Sequence, residues 1–147
     1  MRRVAPLAVL TALLVSGCGS KPLSSGELHS RATQLCLQAG SQIDRISTPA
    51  SPPGTVAFLQ RGIAVMTPEL AKLRALRPAR GDVADVYSTS VHTFSETLRA
   101  LKRTVRELNG GEDPVLAIKG LQRKLKPLES QENGAWQALQ IPACQSR

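Results

Sequence analysis

The stretch Ala84–Leu108, ADVYSTSVHTFSETLRALKRTVREL, decides the fold. Ala84, Tyr87, Val91, Phe94, Leu98, Leu101, Val105 and Leu108 recur at alternating steps of three and four. That spacing puts all eight on one stripe of a helix whose remaining faces are polar. Such a helix is stable only when other elements cover the stripe. The alternation is a seven-residue repeat, which favours neighbours crossing at about 20°. Asp82 reads as the N-cap, and Asn109-Gly110-Gly111 as the stop.

The same pattern extends outward on both sides. Val56, Leu59, Ile63, Met66, Leu70 and Leu73 form a second stripe, stopped by Arg77-Pro78 and Gly81. Toward the N-terminus, Ser24-Ser25-Gly26-Glu27 has the form of a capping box. It precedes Leu28, Ala32, Leu35, Ala39, Ile43 and Ile46. The prolines of STPASPPG, residues 47–54, forbid continuation. Toward the C-terminus, Asp113 and Pro114 fit N-cap and N1. The seam there reads Ile118, Leu121, Leu125, Leu128, Glu132, Ala135 and Leu139, with Pro142 ending it. No stretch alternates with period two for long. The expected fold is all-α: an up-down-up-down four-helix bundle over residues 27–147. The 147 residues suffice for one domain, and only 3% are aromatic, so the core must be aliphatic.

The N-terminus reads differently. Arg2 and Arg3 precede a mostly apolar run from Val4 to Val15, too short to span a bilayer comfortably. Residues 1–17 have the plan of a secretory signal peptide. Val15-Ser16-Gly17-Cys18 resembles the lipobox of bacterial lipoproteins, a resemblance confined to the first 18 residues. It implies a diacylglyceryl group on the Cys18 thiol, cleavage just before Cys18, and a protein held at the extracytoplasmic side of the cell membrane. Two acyl chains make a stable anchor where one is marginal. Residues 18–26 then read as a lipidated tether, of which about eight residues reach on the order of 16 Å if flexible.

With Cys18 taken by lipid, Cys36 and Cys144 remain. An exported chain meets an oxidising compartment, so an even pair suggests a disulfide. Two free thiols or a metal pair are the alternatives, but no CxxC and no histidine cluster supports a metal.

The formal charge is +8. No nucleic-acid motif is visible and no aromatic residues interleave with the basic ones, so nucleic acid is not the expected partner. Arg99, Lys102, Arg103 and Arg106 cluster in the third helix; Lys119, Arg123, Lys124 and Lys126 cluster in the fourth. The topology carries both groups toward the end away from the anchor. There they form either a solvated face or a patch for an anionic partner, an envelope protein or polymer.

Catalytic signatures are missing: no GxSxG, HExxH or Gly-rich phosphate loop. His29 and His92 are the only histidines. Asp85, His92 and Glu96 share an outer stripe, best read as a solvated face with an i, i+4 ion pair. No catalytic residue, metal site or cofactor is therefore assigned. Gln42 and Glu132 interrupt the seams; Glu132 is expected near the bundle end, where water reaches it and Trp136 covers that end. Pro68 and Pro127 should kink their helices at one level, near Leu35, Met66, Phe94 and Leu125. The kinks either curve the helices around an ordinary core or open a pocket among those four residues. The sequence thus points to a membrane-anchored, non-catalytic interaction module, with a carrier of a small apolar ligand as the alternative.

Overall fold

In a computed structural model describing residues 21–145, four helices form: α1 (Ser25–Ile43), α2 (Thr55–Ala75), α3 (Asp82–Asn109) and α4 (Pro114–Ala138). Single 3-10 turns cover Pro52–Gly54 and Pro142–Cys144. Each helix packs on the next in sequence order, and one disulfide joins Cys36 to Cys144. The all-α bundle is as the periodicity requires. The segment 1–17 and Cys18 lie outside the described residues.

Local chemistry sets the helix ends. The Ser24 amide donates to Glu27 Oε2 at 2.8 Å, and Ser24 Oγ accepts from the Glu27 amide at 3.3 Å, completing the capping box. Asp113 Oδ1 accepts from the amides of Val115 and Leu116 at 2.9 and 3.0 Å. At α3 the cap is Gly81, at φ 115°, and not Asp82. Asp82 is already helical; with Asp85 it supplies negative charge to the first turn, where the helix dipole favours it. α3 ends in a Schellman motif: Gly111 donates to Leu108 and Glu112 to Glu107, with Gly111 at φ 92°. α4 ends the same way, before Pro142, but Gln140 takes the left-handed position at φ 59°. Its amide donates to Gln137, and that of Ile141 to Trp136.

That left-handed turn reverses the chain. Ile141 and Cys144 are buried, and Cys144 bonds to Cys36, itself fully buried on α1. Gln145 Nε2 donates to the Asn133 carbonyl of α4 at 3.3 Å. The tail therefore fills the space between α1 and α4. The bridge from the middle of α1 to a residue beyond α4 closes because the tail folds back.

The fold also begins earlier than Glu27. Leu23 is buried, its amide donates to Arg77 at 2.7 Å, and its carbonyl accepts from Ala79 at 3.0 Å. Residues 18–26 are thus not tether throughout: Leu23 is clasped by the α2–α3 turn, and the capping box follows at once.

Two apolar clusters stack along the bundle. The larger joins Leu28, Ala32 and Cys36 of α1 to Leu70, Leu73, Phe94, Leu98 and Trp136. The smaller holds Leu59, Val105 and Leu121, flanked by Phe58, Leu101 and Leu125, with nothing from α1. The reason is length: α1 has 19 residues and α3 has 28, so one corner of the bundle is filled for only part of its height. Trp136 covers no open end. It is fully buried in the larger cluster, edge-on to Tyr87 at 5.9 Å between ring centres. Glu132 is buried with it and accepts from the indole Nε1 at 3.1 Å. Gln42 is exposed, and Ile46 lies past the end of α1.

Candidate functional site

Two regions merit description. The first is the basic face of α4. Lys119, Arg123, Lys124 and Lys126 are all exposed, and all border one open groove of about 1000 Å³. Leu116, 60% exposed, and Gly120 share its lining, as do Glu107 and Glu112. Lys119, Arg123 and Lys126 recur at steps of four and three, so they form one outward stripe.

The basic residues of α3 do not join it. Arg99 pairs with Glu96, which also lies 3.6 Å from His92 Nε2. Lys102 is half-buried, about 100° around the helix from Arg103. Arg103 and Arg106 are exposed, but the α3 residue that lines the groove is Glu107. Both helices carry their basic segments in the half nearer the α3–α4 turn, the half away from Lys21.

The second region is a cleft between α2 and α4, floored by α3 and lying where α1 stops. Its main part holds about 320 Å³ and is lined by Ile43, Ile46, Thr48, Phe58, Leu59, Gly62, Met66, Thr97, Leu101, Leu125 and Glu129. A second part of about 300 Å³ shares Met66, Thr97 and Glu129 and adds Phe94, Glu132, Asn133, Cys144 and Gln145. The disulfide-tied tail thus borders the cleft at its α1 side. Thr97 is 8% exposed, and its Oγ1 is buried with no hydrogen-bond partner within the protein. A buried hydroxyl left so costs about 1–3 kcal/mol.

Of the four residues expected at a pocket, Met66 meets Leu125 in one part of this cleft and Phe94 in the other. Leu35 does not take part; it lines a recess of about 30 Å³ between α1 and α2, with Pro68 and the buried Glu69. Neither Pro68 nor Pro127 lines the cleft, and both lie exposed within unbroken helices. The opening lies where α1 stops. A carboxylate beside an exposed proline gives no sequence sign of burial, so Glu69 was not anticipated.

The two histidines have structural partners. His29 Nε2 donates to the Gln140 carbonyl at 2.7 Å, tying α1 to the turn after α4; His92 faces Glu96. Among the described residues no three His, Cys, Asp or Glu side chains are grouped to hold a metal ion, and no helix is long and apolar enough to cross a membrane. Comparison with known proteins finds no matching family model, no matching curated protein and no matching solved structure.

Proposed function

We propose that the protein is a lipid-anchored lipoprotein on the extracytoplasmic side of the cell membrane, acting without catalysis as a binding module for an anionic envelope partner. The lipobox-like Val15-Ser16-Gly17-Cys18 supports the anchor. The observation that carries the binding role is the placement of Lys119, Arg123, Lys124 and Lys126 around one groove in the half away from Lys21. A domain held through its N-terminus presents that half away from its own membrane. Exposed cations around a groove steer and orient an anionic surface, and their effect weakens with salt.

Crosslinking in intact cells tests the reading. Arg123→Glu with Lys124→Glu should remove the crosslinked species while leaving membrane retention unchanged. An identical crosslinking pattern would overturn the role of this face. Cys18→Ala should separately release the protein from the membrane fraction or block its maturation.

A further inference from the structure

The cleft between α2 and α4 has a chemistry separate from that of the basic face. Its walls are aliphatic and aromatic, and at about 320 Å³ its main part falls within the range of small-molecule sites. Besides Thr48, Asn133 and Gln145, two polar features interrupt the apolar lining. The first is the buried, unpartnered Oγ1 of Thr97, the only residue of α3 bordering both parts besides the walls specific to each. The second is the charge of the lining. In a chain of net charge +8, the charged residues bordering the two parts are Glu129 and Glu132, and no Lys or Arg is among them. Such a site disfavours a fatty acid or any other anion, because a carboxylate or sulfonate would meet like charge with no cation to offset it. It suits an apolar body carrying an N–H or O–H group that can pair with Thr97.

We propose that this cleft is a binding site for a small, neutral or cationic apolar molecule, such as an aromatic amine, whose hydrogen-bonding group pairs with Thr97 Oγ1. The apolar body lies against Met66 and Leu125. Burial of that body drives association, and the hydroxyl orients it. Glu129 sets the sign of charge that is accepted.

Met66 reports on the cleft directly, because the other methionine, Met1, falls in the segment that the proposed maturation removes. With methyl-13C methionine, N-phenyl-1-naphthylamine serves as the probe and 8-anilinonaphthalene-1-sulfonate as its anionic counterpart. The Met66 methyl resonance should move saturably with the neutral amine. The sulfonate should bind ~10-fold more weakly or worse. Gly62→Phe should abolish the shift. Gly62 lines the cleft, a Cβ there meets nothing within 4 Å, and glycine is a poor helix former, so a side chain can start there without a backbone clash. Thr97→Val, which keeps the shape and removes the hydroxyl, should weaken the amine about 3- to 10-fold. A urea midpoint for each variant confirms that it is folded. The proposal is overturned by an unmoved Met66 methyl, by an equal shift in the Gly62→Phe chain, by unchanged affinity in Thr97→Val, or by equal affinity for the sulfonate.

Discussion

Trp136 Nε1 donates to Glu132 Oε1 at 3.1 Å, one turn away on α4, with both side chains buried. The apolar cluster around Trp136 has to accommodate an indole N–H, and the carboxylate one turn back receives it. Glu132→Ala should therefore cost about 1–3 kcal/mol, the effect of leaving a buried donor unpaired. Glu132→Gln keeps an oxygen acceptor and should cost clearly less. Urea unfolding followed by the fluorescence of the single tryptophan measures both. Equal losses in the two variants would show that the hydrogen bond is not what matters there.

Gln140 and Gly111 hold equivalent places in two helix terminators, yet one carries a side chain at φ 59° and the other, at φ 92°, does not. A side chain in the left-handed region costs about 1–2 kcal/mol. Gln140→Gly should stabilise by about 0.5–1 kcal/mol, after allowing for the greater entropy that glycine loses on folding. Gly111→Ala should destabilise by about 1 kcal/mol or more. Thermal unfolding of both variants would show shifts of opposite sign.

The Cys36–Cys144 bond links residues 108 apart. Chain entropy assigns a loop of that size about 4–5 kcal/mol. Cys36→Ala with Cys144→Ala, or reduction by dithiothreitol, should lower the urea midpoint by a corresponding amount, and reductant should then have no effect on the double variant. Proteolysis should also reach the tail after Ile141, which the bond holds between α1 and α4.

Glu27 has its pKa lowered below 4.5, first by the Ser24 amide and then by the Ser24 hydroxyl. A carboxyl with a depressed folded-state pKa stabilises fully above its unfolded value and loses that effect as pH falls through the folded one. The start of α1 should therefore weaken below about pH 4.5. Glu27→Gln cannot titrate and should flatten that dependence. Amide hydrogen exchange in the first turn of α1, compared between pH 6 and pH 3, would detect it.

The helix boundaries were legible because they follow short-range rules. Ser24 with Glu27, Asp113 with Pro114, and Asn109-Gly110-Gly111 each announce a terminus from adjacent residues alone. What stayed hidden depends on partners distant in sequence. Cys36 turns the buried face of α1 to Leu28, Ala32, Cys36 and Ala39, leaving Leu35 only partly covered, because the covalent partner arrives from beyond α4. Gln140 is not a residue that advertises a left-handed turn. Glu132 was visible as an interruption of the seam, and its acceptor role is signalled only by the tryptophan one turn on. The sequence left open whether Leu35, Met66, Phe94 and Leu125 border a pocket or an ordinary core; three of the four line the cleft and Leu35 does not. The prolines of residues 47–54 already stop α1 early, but periodicity does not say which neighbours are left uncovered when a helix stops.

The buried cystine also bears on how the domain responds to tension. A pull on the N-terminus first meets the Leu23 clasp at Arg77 and Ala79 and then peels α1 turn by turn. Peeling stops at Cys36, where the load passes through sulfur to Cys144 and the segment between them stays a closed ring. Up to that point an applied force lengthens the chain by only the first part of one helix, and beyond it the load enters α4 from its C-terminal end.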